Sequence, residues 1–189
     1  MRQHATLFGA TLASWLMLVA IAGGAAAGPV EDAREAYQQG DYATAHRLFG
    51  PLADQGNASA QTNLGVMYSN GQGVSQSYAE ALKWFREAAN QGDAAAQFNL
   101  GLMYRMGLGV RQNYVLAHVW FNLAASQFPA SKKESRDRAI EARDASAANL
   151  NKAQINQALQ LARKWKPRLK TAQSEAPLEW WQRLLAPFH

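Results

Sequence analysis

The side chains suited to acid–base or metal chemistry are few and scattered in this sequence. It has four histidines and no cysteine, which excludes a thiolate zinc site, a cysteine nucleophile and a disulfide framework. His46 and His118 lie far apart, His189 is the last residue, and no carboxylate cluster recurs beside them. No metal-ligand spacing, nucleophile elbow or phosphate loop is present. We therefore predict no catalytic residue, no metal site and no cofactor, and we expect that the protein is not an enzyme.

Two asparagines are better candidates for function, because they occupy equal places in two similar stretches. Asn63 and Asn99 each come directly before a Leu-Gly pair. An asparagine amide has one acceptor oxygen and two donor hydrogens, which match the backbone of an extended peptide. The alternative is that each asparagine only bonds the neighbouring stretch, and the sequence leaves both interpretations open.

The similar stretches are copies of a 36-residue repeat. Aligning 57–92 with 93–128 gives 19 identities in 36 positions, and "YATAHRLFGPLADQG" at 42–56 aligns with "YAEALKWFREAANQG" at 78–92. A fixed period of this length indicates stacked supersecondary units. We therefore expect a repeat region over 28–129, with a divergent unit at 30–56 and full units at 57–92 and 93–128.

Each unit is predicted to contain two helices. In the first helix an apolar face recurs at helical spacing, and Gly65 within it indicates a close helix crossing. Asn70-Gly71 is typical of a helix end. After the loop "GQGV", which joins helix to helix, Ser77 with Glu80 forms a capping box for the second helix. The aromatic and alanine positions on both helices are expected to form the core: Ala60, Leu64, Met67, Tyr68, Tyr78, Ala81, Trp84, Phe85 and Ala88.

The pattern Ala-x-x-x-Leu-Gly-x-x-Tyr-x-x-Gly-x-Gly-Val, followed by Ala-x-x-Trp-x-x-x-Ala-Ala, resembles the Sel-one-like repeat (SLR), a relative of the tetratricopeptide repeat. The resemblance covers 57–128 closely and 30–56 loosely, because "QQGDY" at 38–42 replaces the two-glycine loop. It implies an all-α fold: a right-handed α-solenoid of antiparallel helix pairs. It also implies that the first helices line a concave surface used to hold other proteins.

On this basis we predict a groove that binds another protein or a peptide. Framework positions are held between the two full copies, whereas several first-helix positions differ, as in a surface fitted to one partner. The predicted groove residues are Asn63, Asn99, Thr62, Phe98, Val66, Leu102, Ser69 and Arg105.

Residues 1–27 form a separate segment. A weakly basic start is followed by the apolar stretch "TLFGATLASWLMLVAIA" and by "AAA" at 25–27, features typical of a secretory signal peptide cleaved after Ala27. We therefore expect a periplasmic or secreted bacterial protein. The alternative is an uncleaved membrane anchor with the rest of the chain facing the periplasm, because the apolar stretch is nearly long enough to span a bilayer.

The C-terminal third is the basic part of the chain. Residues 130–189 contain twelve Lys or Arg and six Asp or Glu, against six and eight in 28–129. Two helices over 130–167 are expected to cap the repeat array, each begun by a capping box: Ser131 with Glu134, and Asn151 with Gln154. Pro167 is expected to end the second helix. The apolar stripe of that helix is expected to contain Ile155, Leu159, Ala162 and Trp165.

The tail at 168–189 contains "PLEWWQRLLAPFH", an apolar stripe on a predicted short helix. It could fold back on the solenoid, dock a partner, or lie on an anionic membrane surface, where tryptophan and basic residues are favoured. Nucleic acid is not expected as a partner, because no recognition motif accompanies the charge.

We predict an interaction scaffold of the cell envelope. The alternative is a structural or membrane-surface protein that acts through this tail. The predicted tail-docking residues are Trp180, Trp181, Leu184, Leu185 and Phe188.

Overall fold

The computed structural model describes residues 28–168, and over this range the chain is all-helical. Consecutive helices pack against one another as an α-solenoid, which confirms the predicted fold class. A 3-10 turn is formed by Ala130–Lys132. The helices are α1 (Pro29–Gln38), α2 (Tyr42–Asp54), α3 (Ala58–Asn70), α4 (Tyr78–Asn90), α5 (Ala94–Met106), α6 (Tyr114–Gln127), α7 (Lys133–Ala147) and α8 (Lys152–Lys164).

The helices of the repeats begin and end at predicted capping residues, but the capping box predicted at Ser77 and Glu80 is only half formed. The Ser77 side chain caps α4, whereas its backbone N–H donates to the carbonyl of Tyr68 at 2.9 Å and not to Glu80. The side chains of Ser77 and Asp93 accept hydrogen bonds from the backbone N–H three residues on, which satisfies one orphan donor at the start of α4 and of α5. Gly71 ends α3 and Gly107 ends α5, at φ of 69° and 71° respectively. A side chain is strained in this left-handed conformation, so glycine is favoured at both positions.

Two further glycines allow the helices of one unit to cross closely. A Cβ added at Gly65 would lie 2.6 Å from the ring of Phe85, and one at Gly101 would lie 2.7 Å from the ring of Phe121. Each glycine therefore provides the space into which an aromatic ring of the second helix packs. The close crossing predicted from Gly65 is confirmed.

The contact between successive units involves the backbone as well as side chains. A Cβ at Gly73 would lie 2.5 Å from the carbonyl oxygen of Tyr42, and one at Gly109 would lie 2.7 Å from that of Tyr78. The two-glycine loop of each full unit thus rests on the start of the second helix of the preceding unit. The 36-residue spacing of the sequence is repeated in this contact.

Helix α6 is buried on nearly its whole circumference, because α5, α7 and α8 all pack against it. The equivalent helix α4 has charged residues where α6 is apolar. The side chains of Glu80 and Lys83 on α4 are 45% and 62% exposed, whereas the matching Leu116 and Val119 on α6 are 2% and 6% exposed. A helix that is apolar all round is one that other elements cover.

Of the two capping boxes predicted for α7 and α8, only the one that begins α8 is present in the structure. Asn151 and Gln154 form the reciprocal capping box, with N···O distances of 3.0 and 2.9 Å. The capping box predicted at Ser131 and Glu134 is wrong. Ser131 lies inside the 3-10 turn that follows Pro129, so α7 begins at Lys133 without a side-chain cap.

The packed face of α8 also differs from the predicted stripe. The positions that pack against the core are Ala158, Leu161, Ala162 and Trp165. Ile155 and Leu159, which we expected on the same stripe, are half-buried beside it. The face is rotated because two alanines, rather than the larger side chains, allow α8 to approach α6 closely. Among residues 28–168 no helix is long and apolar enough to cross a bilayer.

Candidate functional site

The predicted groove residues lie on α3 and α5, the first helices of the two full units. These helices pack against α4 and α6, and they are neighbours of each other. We call the surface of α3 and α5 that these predicted groove residues form the first-helix face. Equivalent positions on this face are 36 residues apart, as the repeat requires.

Asn63 and Asn99 occupy the same environment in their two helices. The Nδ2 of Asn63 donates to the carbonyl of Ser59 at 2.8 Å, and that of Asn99 donates to the carbonyl of Ala95 at 3.0 Å. Both asparagines are half-buried. Each amide therefore uses one N–H within its own helix, not on the neighbouring unit, and retains a second N–H and an acceptor oxygen. That a partner's backbone uses these groups stays a prediction.

Thr62 is held by the junction between the two units. Its Oγ1 lies 2.9 Å from the carbonyl of Ala58 and 3.1 Å from Oδ1 of Asp93, the residue that caps α5. Thr62 is also buried, with 9% of its surface exposed. Of the predicted groove residues, this one is placed to hold α3 against the start of α5.

Ser69 and Val66 are half-buried at the C-terminal end of α3. The Ser69 hydroxyl donates to the carbonyl of Val66 at 2.8 Å, within the same helix. Val66 packs against the edge of the main core cluster. This end of the first-helix face therefore presents the small apolar side chain of Val66 beside the polar side chain of Asn70, which is exposed.

The corresponding part of α5 is apolar. Phe98 packs on Phe121 with the ring centroids 5.4 Å apart, and the Arg105 guanidinium lies 5.6 Å from the same Phe121 centroid. Leu102 is half-buried, and Met106 is 58% exposed. We call Phe98, Leu102 and Met106, spaced i, i+4 and i+8, the apolar row. Met106 was not predicted as a site residue, although its spacing from Phe98 and Leu102 could have identified it.

Two buried glutamines link successive units beneath this face. The Nε2 of Gln61 donates to the carbonyl of Ala53 at 3.0 Å, and that of Gln97 donates to the carbonyl of Ala89 at 3.2 Å. Both glutamines are fully buried. They are identical in the two copies, and this identity could have marked them as structurally important. The sequence alone does not show which group a buried glutamine side chain bonds.

The histidines do not form a site. His46 on α2 lies 3.4 Å from the hydroxyl of Tyr68, whereas His118 is buried on α6. Burial lowers the pKa of His118, and the positive charge of Arg143 on α7 lowers it further, while Asp144 acts in the opposite direction. Within residues 28–168 no group of three His, Asp or Glu side chains could hold a metal ion.

A cleft of about 350 Å³ lies between the α5–α6 loop and the start of α8. Arg111 and the two tyrosines Tyr104 and Tyr114 are its only ionisable lining residues. General acid–base catalysis at neutral pH usually needs a histidine or a carboxyl group in reach of the substrate. The lining of this cleft contains neither, so it offers no catalytic pair.

Two sets of predictions fall on residues that the structure does not describe. The signal peptide at 1–27 is one. The tail-docking residues are the other: Trp180, Trp181, Leu184, Leu185 and Phe188. The basic run at 163–170 is described as far as Arg168, whose backbone N–H donates to the carbonyl of Asn90 at 2.7 Å.

Comparison with known proteins gives a consistent result for the repeats. The Sel1 repeat family model matches residues 58–93 and 94–127. No curated protein matches the chain. Among solved structures, the chain is similar to a protective antigen of uropathogenic Escherichia coli that displays an SLR fold. The two share 27% identity over 78% of this chain and 34% of the antigen, with a TM-score of 0.66.

A Sel1 repeat protein from Oxalobacter formigenes is also similar, with 28% identity over 70% of this chain and 59% of that one, and a TM-score of 0.52. The chain therefore spans about a third of the length of the first neighbour and about three fifths of the second.

Proposed function

This chain belongs to the Sel1-like repeat family through residues 58–127, and from that membership we propose that it is a non-enzymatic scaffold that binds another protein along its first-helix face. Sel1 repeats generally act as protein–protein interaction scaffolds. Our proposal that the first-helix face is the binding surface rests on the contacts of α3 and α5.

The observation that carries the proposal is the difference between α3 and α5 at equivalent positions. The residues that are identical in both copies, such as Gly65 and Gln61, make contacts inside the array. The apolar row, in contrast, replaces Thr62, Val66 and Asn70 of α3 with larger apolar side chains, and Met106 at its end is exposed. The contacts differ accordingly: Thr62 bonds Asp93 of the following unit, whereas Phe98 packs on Phe121 of its own unit.

The partner we propose is a segment with apolar side chains at helical or extended spacing. A row spaced i, i+4 and i+8 matches the groove-binding mode of an amphipathic helix. Polar groups beside the row, including the remaining N–H and oxygen of Asn99, would fix the orientation of the bound segment. Binding of this kind needs a rigid scaffold and involves no chemical turnover.

We further propose that the scaffold works in the periplasm or outside the cell. The support is the leader-like sequence at 1–27, together with the description of the E. coli neighbour as a protective antigen. A fusion of the full chain to a reporter that is active only after export tests this proposal. Activity should require residues 1–27, and equal activity without them would contradict export by this segment.

Partner capture tests the binding surface. The full chain serves as bait in an extract of the exporting compartment, beside the variant Leu102→Glu/Met106→Glu and the control Lys83→Glu, which changes an exposed residue of α4. We expect a partner that the wild type and the control both retain and that the row variant loses by at least about ten-fold. Equal capture by all three baits would exclude the row as the binding surface.

The second candidate function is binding to a membrane surface through the tail. The observation that favours it is the excess of basic residues in 130–189 together with the two adjacent tryptophans, Trp180 and Trp181. Sedimentation of the full chain with anionic vesicles tests it, with Trp180→Ser/Trp181→Ser as the variant. Binding that depends on the tryptophans but not on the apolar row would favour this function over the scaffold.

A further inference from the structure

The described chain ends at a fixed place on the solenoid. The backbone N–H of Arg168 donates to the carbonyl of Asn90, the last residue of α4. A Cβ at Gly92 would lie 3.7 Å from Pro167 and 3.8 Å from Trp165, and Trp165 packs against the core cluster. Residues 165–168 are thus held against the turn between α4 and α5. The tail starts beside the N-terminal end of α5.

Helix α5 is also the helix that carries the apolar row. Phe98 lies five positions after Asp93, the cap of α5, and Met106 is the last residue of the helix. Among residues 28–168 Met106 is the one large apolar side chain that is exposed. The eight positions from Phe98 to Met106 span about 12 Å at the rise of an α-helix. The row, in which Met106 is exposed and Phe98 and Leu102 are half-buried, therefore begins within about two helical turns of the point where the tail starts.

The tail has the length and the pattern to cover this row. Residues 169–177 are nine residues and can extend across about 30 Å. Pro177 suits the first position of a helix. The residues after it place apolar side chains on one helical face, in the order Leu178, Trp181, Leu184, Leu185 and Phe188. Over these eleven residues such a helix would be about 16 Å long, enough to cover the row from end to end.

We propose that residues 177–188 lie along the apolar row of their own chain, as an intramolecular ligand that a partner must displace. The docking of the tail stands on the position of Arg168 and on the row itself. Only its consequence for partners rests on the proposed function. A partner's apparent affinity would then equal its affinity for the free row multiplied by the fraction of molecules in which the row is free.

Cysteine cross-linking tests the docking directly, since the chain has no cysteine of its own. The variant Met106→Cys/Leu185→Cys, in the full chain at low concentration, is oxidised and digested to locate the disulfide. We expect an intramolecular link that forms at least about ten-fold faster than in the control Gln160→Cys/Leu185→Cys, whose first cysteine is on the exposed side of α8. Equal rates in both pairs, or links only between chains, would overturn the proposal.

A second measurement uses a labelled peptide of residues 171–189 and two full-length proteins. In Trp181→Glu/Leu185→Glu the tail stripe is broken, so the row should be free. We expect this variant to bind the peptide at least about ten-fold more tightly than the wild type does, because the wild-type row is occupied. Adding Met106→Glu to the variant should abolish the difference. Peptide that binds anionic vesicles but neither protein would overturn the proposal in favour of a membrane role.

The two proposals can fail separately. If the 106–185 link forms but the broken-tail variant captures no more partner than the wild type, the tail docks and the displacement model is wrong. If partner capture depends on Leu102 and Met106 while the link does not form, the scaffold function stands and the docked tail is wrong.

Discussion

At the scale of single residues, identity between the repeats separates two kinds of position. Gly65 and Gly101 are identical because an aromatic ring occupies the space of their missing Cβ. Gln61 and Gln97 are identical because each bonds a buried carbonyl of the preceding unit. Positions with no such contact are free to vary, and Met106 in place of Asn70 is one example. Variation on the first-helix face is therefore compatible with an unchanged framework.

The glycine crossing gives a direct stability prediction. Gly65→Ala should lower the free energy of unfolding by about 1–3 kcal/mol, because the new Cβ must displace the ring of Phe85. The control is Gly50→Ala in α2, where a Cβ would meet nothing within 4 Å. Urea unfolding followed by circular dichroism provides the measurement. A loss at Gly50 as large as that at Gly65 would show that contact with Phe85 is not the cause.

Burial of His118 predicts a pH dependence of stability. Its pKa is below the ordinary value of 6.5 in the folded chain, mainly because burial disfavours the charged form. The unfolded chain then binds more protons, so the stability present above about pH 6.5 is lost as the pH falls through the folded pKa. Arg143 and Asp144 on α7 are the charged groups that act on it, and the repulsion from Arg143 favours the neutral form.

The measurement is the melting temperature at pH 7.5 and at pH 5. His118→Leu copies Leu82, the residue at the matching position of α4, and should remove most of this pH dependence. His46→Ala leaves His118 in place and should therefore retain it. A wild-type melting temperature that does not fall toward pH 5 more than that of His118→Leu would contradict the assignment.

At the scale of elements, the junction between units relies on a few polar contacts in an otherwise apolar interface. Gln61 bonds Ala53 and also accepts from the Nε2 of Gln91 at 2.7 Å. Gln97 bonds Ala89, but its Oε1 is buried with no partner in the described structure. Gln127, which matches Gln91 in the repeat, is exposed. The buried glutamine at the junction before residue 57 thus has more of its hydrogen-bonding groups paired than the one at the junction before residue 93.

This difference predicts unequal effects of the same substitution. Gln61→Leu should cost about 1–3 kcal/mol, because it leaves a buried carbonyl and the Gln91 amide without their partner. Gln97→Leu should cost less, because it removes an unsatisfied acceptor together with the hydrogen bond. Chemical denaturation of the two variants under one set of conditions makes the comparison. Equal costs, or a larger cost at Gln97, would contradict this account of the junctions.

The elements themselves could be predicted from the sequence, because caps and glycines act locally. Asn151 with Gln154 begins α8, and Gly71 ends α3, as expected from the residues alone. The start of α7 was mispredicted, because Pro129 favours a 3-10 turn in which Ser131 cannot act as a cap. The packing of α8 on α6 depends on tertiary contacts, which local signals such as caps do not specify. Its signal in the sequence is the replacement of charged residues of α4 by apolar ones on α6, such as Lys83 by Val119, and that signal needs the two copies to be compared.

The candidate site was predictable in position but not in detail. The period placed Asn63 and Asn99 at equal sites, and the structure gives them equal contacts. Periodicity carries no information on whether a side chain bonds its own helix, another unit or a partner. Thr62 illustrates this limit, since its contact with Asp93 spans 31 positions of sequence.

At the scale of the whole molecule, the solenoid has two unlike ends. The C-terminal end is closed, because α7 and α8 both pack on α6 and bury side chains that α4 exposes at the matching positions. Capping helices of this kind keep a repeat array soluble. The last described residues, 165–168, follow α8 and lie against the α4–α5 turn.

The closed end depends on apolar side chains that α6 has where α4 has charged ones. Val119→Lys/Leu123→Glu copies Lys83 and Glu87, and should release α8 because two charged side chains would otherwise lose their hydration at buried positions. Limited trypsin digestion should then cut at Arg163 and Lys164 much faster than in the wild type. The reverse change on α4, Lys83→Val, is the control and should leave that cleavage rate unchanged. Equal rates in all three proteins would contradict the role of α6 in holding α8.

The contact of each glycine loop with a main-chain carbonyl, at Tyr42 and again at Tyr78, has an evolutionary consequence. Because one unit recognises the backbone of the previous unit, a newly duplicated 36-residue copy would find a compatible neighbour without compensating mutations. Such growth is possible between residues 92 and 93, where both flanking units are of the regular type. After residue 128 it is blocked, since α6 has already exchanged its charged positions for apolar ones that α7 and α8 cover.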